Sequence, residues 1–458
     1  METGKFATEL LLERLANLPH ARKYWVGFSG GVDSTALLLA LQDSVASLTT
    51  EFAAIHFNHG LHPRADSWQE HCRRFCEQKG IPFHARLLDL SQRHRVSAEE
   101  HARNERYRQI ESILAEDEIY LTAHQADDNA ETVFLNLMRG GGVDGLAGIP
   151  GLRKLGSGWV ARPMLCFHRS ELERFLRNRG VEWLEDPSNR QQHFDRNFVR
   201  HSVFPMLEKR WPGVIRRINQ TARHAGEFSR NLERTLTSRF GRLLSDSFTM
   251  PLSPLLKLDP ETQALIIRQW LRGQEIATPP RLRLNEFLQQ IGQIRDAENH
   301  AELRWPGHLL KHHGGVLWLH KQPGPGVCPT VSWTEGACLT LGPGFGEMRL
   351  DHPSGPLPTG WQIGARKTGS RLRVKRSGTN RKVKELFREL GIPPWLRGSI
   401  PVLYWDGEVA ALGDWLLSAR LEDHLASAGT SLRWEPNDPL LRRLQSVSVQ
   451  LPDRTSKT

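Results

Sequence analysis

The residues from Tyr24 to Leu41 combine a strand pattern, a glycine turn and a helix pattern in immediate succession. Glycines adopt backbone angles that are closed to other residues and let the main chain approach a ligand closely. The free N–H groups at the start of the following helix point at bound anions. An ordinary glycine turn is the alternative, but the strand, turn and helix context favours a phosphate site. The sequence therefore predicts that a polyphosphate is held by Ser29, Gly30, Gly31, Val32, Asp33 and Ser34.

Asp33 lies in this turn, where its carboxylate would repel a phosphate directly. We therefore expect a Mg²⁺ ion that links Asp33 to the phosphate oxygens. The turn resembles the PP-loop of the ATP pyrophosphatase superfamily, whose members cleave ATP between the α and β phosphates. No Walker motif occurs in the chain. A Gly-x-Gly-x-x-Gly pattern at Gly140 follows a predicted helix rather than a strand, which indicates a flexible loop and not a dinucleotide site.

Short apolar strand patterns alternate with helical patterns up to about Gly140, and this alternation is typical of a parallel α/β sheet. One helix is predicted over Ser97 to Glu116, opened by a capping box of Ser97 and Glu100. Ligands of such sheets bind beyond the carboxyl ends of the strands. The phosphate turn follows the first of the predicted strands, which are Trp25 to Phe28, Phe52 to Phe57, Phe83 to Leu90 and Ile119 to Ala123.

Two further polar clusters follow predicted strands. His56 lies at the end of the second predicted strand and His59 just after it, where contact with the nucleotide is favoured over a role as satisfied loop residues. Asp127 and Glu131 are four residues apart at the start of a predicted helix, beside Asp128. Like charges at this spacing repel, so a cation between them is expected, although helix capping by acidic residues is an equal alternative on this pair alone. Their place beside the phosphate turn favours binding of a metal ion or an ammonium group.

Arginines supply candidates for transition-state stabilisation. Arg103, Arg106 and Tyr107 share one face of the helix predicted from Ser97, and Arg200 precedes another helix. A guanidinium that neutralises charge developing on the α-phosphate would assist catalysis, so Arg103 and Arg200 are candidate catalytic residues. Surface salt bridges are an equal alternative.

The whole chain has 458 residues, which is too long for one ordinary domain. Its apolar runs are too short to span a membrane, and Met1 to Leu10 lack the order of a signal peptide. Five sparse cysteines indicate a reducing compartment, so we expect a cytoplasmic protein and leave its oligomeric state open. Cys72 and Cys76 are one helical turn apart, which favours buried packing over a metal or redox site.

The positive charge of the chain is concentrated near its end. Eleven basic and only two acidic residues lie between Arg366 and Arg397, and this excess accounts for nearly all of the net charge of +10. A solvated charged face usually mixes signs, so contact with a nucleic acid is favoured. The candidate contact residues are Arg371, Arg373, Lys375, Arg376, Arg381, Lys382 and Lys384.

These patterns divide the chain into five segments. We expect an α/β domain with a parallel sheet, followed by an Arg-rich helical domain and a small basic α+β domain. A Gly- and Pro-rich segment that separates the last two is expected to be a linker or edge β structure. The predicted boundaries, in chain order, are 1–211, 212–320, 321–364, 365–440 and 441–458, the last being a frayed tail.

Taken in order, the motifs resemble the tRNA(Ile)-lysidine synthetases over almost the full chain. The matching blocks are the phosphate turn, His56 to Leu61, Ala102 to Tyr107, Thr122 to Gly148, Asp186 to Arg200 and Arg371 to Leu417. The chain departs from the usual pattern at Gln125, where a second histidine is common, at Asn129, where glutamine is common, and at His62, where arginine is common.

The resemblance implies a two-step reaction. ATP adenylates O2 of the wobble cytidine in an isoleucine tRNA with a CAU anticodon and releases pyrophosphate. The ε-amine of free lysine then attacks C2 and expels AMP, which changes decoding from AUG to AUA. The expected cofactors are ATP and Mg²⁺, and Asp127, Asp128 and Glu131 are the candidate ligands of the lysine ammonium.

Two other functions are compatible with parts of this pattern. A PP-loop thiolase would modify a tRNA pyrimidine with sulfur, but such enzymes generally carry Cys-x-x-Cys pairs or a catalytic cysteine couple, and the predicted ATP domain has none. A non-catalytic RNA-binding protein with ATP as a ligand is the second alternative. The intact Ser29, Asp33 and Ser34 argue against it.

Overall fold

A computed structural model describes residues 6–60, 62–90, 98–187, 194–293, 301–322, 324–352, 356–374 and 380–448. The chain divides into two compact units, Met1–Leu232 and Glu233–Thr458. The border lies inside a helix that starts at Val214.

The first unit is built on a six-stranded sheet in the order β3-β2-β1-β4-β6-β5. All neighbouring strands are parallel except β5, which runs antiparallel to β6. The strands are β1 (Lys23–Gly27), β2 (Glu51–Asn58), β3 (Phe83–Leu87), β4 (Glu118–Leu121), β5 (Leu152–Leu155) and β6 (Gly158–Ala161). This architecture confirms the predicted parallel α/β domain.

Helices cover this sheet and connect its strands. The α-helices are α1 (Thr8–Ala16), α2 (Val32–Asp43), α3 (Ala65–Lys79), α4 (Ala98–Glu111), α5 (Ala126–Met138), α6 (Val143–Leu146), α7 (Arg169–Arg177), α8 (Asp195–Phe198), α9 (Phe204–Arg210) and α10 (Val214–Leu244). A 3₁₀ turn covers Val45–Ser47, and a π-helical segment, Val199–Val203, joins α8 to α9. Ser97, the predicted cap of α4, lies outside the described residues.

Helix α2 is buried on all sides because its sequence is apolar all round, as expected of a helix in the middle of a core. It begins shortly after β1, so the phosphate turn is anchored at both ends by buried structure. Cys72 and Cys76 of α3 are also fully buried, in agreement with the packing role predicted from their spacing.

The chain leaves β1 towards β2 on one side, whereas β4 lies on the other side of β1. Strand β1 pairs with β2 on one side and with β4 on the other, so the strand order reverses between β1 and β4. In doubly wound sheets a crevice for ligands opens at such a switch point, beyond the carboxyl ends of the strands. The phosphate turn after β1 and the residues Thr122 to Asp128 after β4 both lie at this crevice.

The second unit begins with helices that pack on a four-stranded antiparallel sheet in the order β7-β10-β9-β8. The expected helical domain thus contains a sheet as well. Its elements are β7 (Thr249–Pro251), α11 (Leu252–Leu256), α12 (Pro260–Arg272), α13 (Arg281–Gln293), β8 (Glu302–Trp305), β9 (His308–His313) and β10 (Val316–Lys321).

The rest of this unit is an α+β module. It contains a five-stranded sheet, β11-β14-β17-β18-β19, a three-stranded sheet, β12-β13-β20, and a hairpin of β15 and β16. Its elements are β11 (Val331–Ser332), β12 (Cys338–Gly342), β13 (Gly346–Asp351), β14 (Trp361–Gly364), β15 (Arg371–Arg373), β16 (Asn380–Lys382), α14 (Val383–Glu389), a 3₁₀ turn (Pro394–Leu396), β17 (Val402–Trp405), β18 (Glu408–Leu412), β19 (Leu416–Leu417), α15 (Ala419–Ser427), β20 (Ser431–Glu435) and α16 (Pro439–Ser448).

Two segments of the module are more ordered than a linker or a frayed tail. Of the two alternatives expected for 321–364, the described part is β structure: β11 and β12 are edge strands, whereas β13 and β14 lie inside their sheets and bury Met348, Trp361 and Ile363 in the core. The described part of 441–458 is not frayed, because α16 buries Leu441 and Leu444 in the same core. Apolar burial of this kind offsets the entropy of ordering these segments.

Among the described residues, every helix is too short or too polar to cross a lipid bilayer.

Candidate active site

The phosphate turn is held in one conformation by its own packing. Gly30 has φ of +78°, a left-handed angle that favours glycine. A Cβ atom on Gly30 would lie 2.7 Å from Leu184 Cδ1 and 3.0 Å from Cys72 Sγ. The Gly30 carbonyl also accepts a hydrogen bond of 2.8 Å from the Leu184 N–H. Only glycine therefore fits at this position without displacing its neighbours.

Serine hydroxyls brace the turn internally. The Oγ atoms of Ser29 and Ser34 are 3.0 Å apart, and Ser29 Oγ accepts a hydrogen bond of 3.3 Å from the Gly31 N–H. Ser34 Oγ donates to the Gly31 carbonyl at 3.1 Å. Val32 is buried and fixes the first turn of α2 in the core. The arrangement holds the N-terminus of α2 beside the crevice, where it favours an anion.

Asp33 presents an uncompensated carboxylate at this helix terminus. Its Oδ1 atom is buried and has no hydrogen-bond partner among the described residues. Burial, together with the nearby Asp128 carboxylate, raises the pKa of Asp33 to about 7 against the opposing charges of Arg169 and Arg200. A cation beside Asp33 would stabilise its ionised form.

The donor set of this site fits magnesium. Within the described part of the chain, no three histidine, cysteine or acidic side chains gather to hold a metal ion. Mg²⁺ is commonly bound by one or two carboxylates, with substrate phosphates and water completing its shell. The buried, unpartnered oxygen of Asp33 at a phosphate turn suits this mode of binding.

A cavity of about 800 Å³ opens in front of the turn. Its lining brings together residues from the ends of β1, β2 and β4 and from helix α8, including Asp33, His56, His124 and Arg196. Cavities of roughly 300–1,000 Å³ accommodate cofactor-sized ligands. The volume and the phosphate turn together make this cavity the candidate nucleotide site.

The predicted histidines His56 and His59 line this cavity, and burial disfavours their charged forms. His56 Nδ1 lies 2.9 Å from the Phe28 carbonyl oxygen, and burial lowers the pKa of His56. Burial also lowers the pKa of His59. His124 is a further lining residue outside the predicted site residues, and burial lowers its pKa to about 4 although Asp128 acts to raise it.

Four charged side chains form a partly buried cluster beside the cavity. The Glu131 side chain is only 1% exposed and accepts hydrogen bonds from Arg196 Nε at 2.7 Å and from Arg200 Nε at 2.6 Å. Asp128 Oδ1 accepts from the Nη2 atoms of both arginines at 3.0 Å. Burial would lower the pKa of Arg200, but its hydrogen bond and charge interaction with Glu131 raise it. Both guanidiniums thus remain charged at the cavity wall.

Asp127 and Glu131 contact different protein groups. Asp127 Oδ2 accepts a hydrogen bond of 3.1 Å from the Arg169 N–H and lies 3.5 Å from His168 Nδ1. These contacts outweigh burial and lower the pKa of Asp127. Glu131 is instead neutralised by Arg196 and Arg200. The four-residue spacing puts Asp127 and Glu131 on one side of α5, but it does not require them to have a common partner.

The positions that depart from the family pattern have structural partners. Gln125 caps α5 by accepting from the Asp127 N–H at 2.6 Å, and its own N–H donates to Asp128 Oδ2 at 3.1 Å. Asn129 accepts from the Ile149 N–H at 2.6 Å and donates to Asn219 Oδ1 at 2.8 Å. His62 lines the cavity and stacks on Trp68 with ring centroids 4.7 Å apart.

Arg103 lies in a second cavity of about 580 Å³ rather than in the first. The two cavities have His124 and Arg196 in common. Arg106, which shares the helix face with Arg103, lines the nucleotide cavity. Helix α4 thus contributes Arg106 to the nucleotide cavity and Arg103 to the second cavity.

The basic residues predicted to contact RNA lie in and next to the hairpin of β15 and β16, and they differ in exposure and pairing. Arg371, Arg373, Lys382 and Lys384 are exposed, whereas Leu372 between the first two is buried. Arg381 is paired with Glu389, which offsets its charge. Lys375 and Arg376 lie outside the described residues.

Comparison with known families agrees with this architecture. Residues 5–207 match the family model of a PP-loop domain, residues 250–318 that of a TilS substrate binding domain, and residues 361–434 that of a TilS substrate C-terminal domain. The matched PP-loop domain contains the phosphate turn and the whole six-stranded sheet.

Curated relatives match the chain over nearly all of its length. The tRNA(Ile)-lysidine synthase of Pseudomonas aeruginosa is 34% identical over 447 residues, which cover 94% of this chain and 97% of the relative. That of Alkalilimnicola ehrlichii is 34% identical, covering 90% and 94%. That of Coxiella burnetii is 30% identical, covering 89% and 92%. The chain belongs to the tRNA(Ile)-lysidine synthase family, whose members are PP-loop ligases.

Proposed function

We propose that the protein joins free L-lysine to C2 of the wobble cytidine in a tRNA(Ile) with a CAU anticodon, at the expense of ATP. The product is lysidine, with pyrophosphate and AMP as the other products. The observation that carries this proposal is the phosphate turn with Asp33, which opens on a cavity lined by Asp128, Arg196 and Arg200. Glu131 holds the two arginines by accepting hydrogen bonds from them. The family membership of the chain supports it over nearly its whole length.

In the first step, O2 of the cytidine attacks the α-phosphorus of ATP. The bond between the α-phosphorus and the bridging oxygen breaks, and pyrophosphate leaves. The N-terminus of α2 and the loop from Ser29 to Ser34 hold the departing phosphates, and Arg200 neutralises charge developing at the α-phosphate. Asp33 would hold the Mg²⁺ that ATP brings, which supplies further charge neutralisation when bound.

In the second step, the ε-nitrogen of lysine attacks C2, and the bond from C2 to the adenylate oxygen breaks. AMP leaves with the electron pair, and the amine loses its protons to a base. Adenylation is needed because the cytidine oxygen is otherwise a poor leaving group. Asp127 and Asp128 are the candidate ligands of the lysine ammonium, since both stand in the first turn of α5 and Asp128 lines the cavity. Glu131 contributes by holding Arg196 and Arg200 in place.

Recognition of the tRNA is assigned to the basic hairpin of the C-terminal module. Arg371, Arg373 and Lys382 of the hairpin and Lys384 at the start of α14 are exposed and suited to phosphate contacts. Lys375 and Arg376 belong to the same charged segment. Arg381 is a weaker candidate because Glu389 already pairs with it.

The test mixes the full-length protein with ATP, ¹⁴C-lysine and an in vitro transcript of the tRNA, followed by nuclease mapping. The expected result is label in the anticodon wobble nucleotide, with AMP and pyrophosphate formed in equal amounts. A methionine tRNA with the same anticodon is the control and should remain unlabelled. Binding of ATP without label in the RNA would favour a non-catalytic RNA-binding protein. Sulfur incorporation in place of lysine would favour a thiolase.

A further inference from the structure

The second cavity has an unusual charge balance. Of its lining residues, five are arginines (Arg103, Arg108, Arg153, Arg162 and Arg196) and Glu111 is the acidic member. Arg108 is paired with Glu105, and Arg196 with Asp128 and Glu131. Arg103 and Arg153 form no ion pair with any residue in the described part of the chain. The cavity therefore retains uncompensated positive charge.

One of these arginines, Arg162, is buried in the protein interior. Arg162 is 5% exposed, donates from Nη1 to the Pro150 carbonyl at 2.7 Å and donates from Nη2 to the Tyr107 hydroxyl at 3.2 Å. Its Nε atom is buried without a hydrogen-bond partner among the described residues. Burying a guanidinium away from any carboxylate is costly, so its retention at a cavity wall points to an anionic ligand.

Tyr107 lies at the centre of these charges. The guanidinium carbons of Arg153, Arg103 and Arg106 lie 5.2, 5.7 and 5.9 Å from its ring centroid. Burial acts to raise the pKa of the Tyr107 phenol, but the charges of Arg162 and Arg103 outweigh it and lower the pKa. Aromatic and guanidinium planes at this spacing are the groups on which unstacked nucleic-acid bases lie.

We propose that this second cavity binds the RNA backbone next to the nucleotide that enters the ATP cavity, with a phosphodiester on Arg103, Arg153 and Arg162. The inference rests on the function proposed above and adds a binding site to it. The two cavities meet at His124 and Arg196, so a base in the first would leave its flanking phosphates at the second. Several unpaired guanidiniums suit a nucleotide chain better than the single carboxylate of free lysine, which is the competing ligand.

Arg153 is the residue to test because it is exposed on β5 and belongs to neither the nucleotide cavity nor the carboxylate cluster. Binding of the tRNA transcript to full-length Arg153→Gln is measured by filter binding between about 50 and 200 mM salt. The slope of log affinity against log salt should become shallower by about 0.7, the change for one phosphate contact on single-stranded RNA. Arg153→Lys keeps the charge and should restore the slope.

Lys154→Gln is the matched control. Lys154 is the next residue of the same strand, where it donates to the Ser157 carbonyl and covers Trp159, so its loss should leave the slope unchanged. Equal slopes in the wild type and Arg153→Gln would overturn the inference. So would a raised KM for lysine in Arg153→Gln with unaltered tRNA binding, which would assign the cavity to the lysine carboxylate. Absence of lysine transfer by the wild type would instead defeat the proposed function, whatever the slopes.

Discussion

Arg200 forms a two-point ion pair with Glu131, with Nε 2.6 Å from Oε1 and Nη2 2.9 Å from Oε2. The carboxylate is almost fully buried, and its Oε2 atom also accepts a hydrogen bond of 2.7 Å from Arg196 Nε. The same two guanidiniums reach Asp128, which lines the nucleotide cavity. The pair therefore holds in place two guanidiniums that line the candidate nucleotide cavity.

Removal of Glu131 should destabilise the first unit. Glu131→Ala leaves two partly buried guanidiniums with Asp128 alone, and breaking a buried ion pair costs about 3–5 kcal/mol. Urea unfolding of the full chain checks this expectation. Asp127→Ala is the comparison, because Asp127 is more exposed and makes fewer ion pairs, and it should cost about 1 kcal/mol. Equal losses in the two variants would contradict the anchoring role of Glu131.

The two glycines of the phosphate turn should respond differently to alanine. Gly30→Ala places a methyl group 2.7 Å from Leu184 at a positive φ, so it should lower stability by about 1–3 kcal/mol and weaken ATP binding. Gly31 has φ of −75°, and its nearest Cβ neighbour would be Ser29 Oγ at 3.4 Å. Gly31→Ala should therefore retain the wild-type stability. Thermal unfolding and ATP titration distinguish the two, and equal behaviour would refute the packing argument.

Asp33 should make stability depend on pH in the absence of nucleotide. Its pKa rises from an ordinary 3.8 to about 7 in the folded protein, so protonation accompanies folding between these values. The stabilisation from this group is complete below about pH 4 and is lost as pH rises towards 7, by about 1.4 kcal/mol per pH unit. The side chain of Asp33→Asn does not titrate, so the stability of this variant relative to the wild type should increase over this window and then level off. A constant difference would show that the pKa is not raised.

The same variant should lose catalysis. The amide that replaces the carboxylate carries no charge to hold Mg²⁺, so pyrophosphate release by Asp33→Asn should fall by at least about 100-fold, as when a group that stabilises transition-state charge is removed. Circular dichroism should remain that of the wild type. Near-normal turnover in a folded variant would remove the proposed metal role of Asp33.

The basic hairpin should control the salt dependence of tRNA binding. Arg373→Gln combined with Lys382→Gln removes two exposed charges, and the slope of log affinity against log salt should become shallower by roughly 1.4–1.8. Arg381→Gln is the control in the same hairpin. Because Arg381 already pairs with Glu389, its loss should change the slope much less. A double variant with the wild-type slope would exclude the hairpin from the RNA contact.

The location of the candidate nucleotide site was predictable from the sequence, because short motifs at the ends of strands determine it. The turn at Gly30 and the polar residues after β2 and β4 follow buried strands, and parallel topology brings strand ends together. The partners of Glu131 were not predictable in the same way, because Arg196 lies 65 residues further along the chain. Two acidic residues four positions apart on a helix are equally compatible with one cation bound between them and with a separate ion pair for each.

The burial of the strands in segment 321–364 was also not predictable from the sequence. Its glycines and prolines indicate turns, and strands of two to six residues between them leave little periodicity to read. Their burial depends on partners distant in sequence, such as the pairing of Met348 with Trp434. Long-range packing of this kind also places α16 in the core, although the end of a chain is usually expected to fray.

The most direct test of the proposed chemistry follows the α-phosphate of ATP. The full-length protein is incubated with [α-³²P]ATP, Mg²⁺ and the tRNA transcript without lysine, and the RNA is isolated and digested. The proposal predicts a radiolabelled adenylate on the wobble cytidine, which lysine then releases as AMP. Label confined to ADP, or RNA that stays unlabelled while ATP is consumed, would contradict adenylyl transfer to the tRNA.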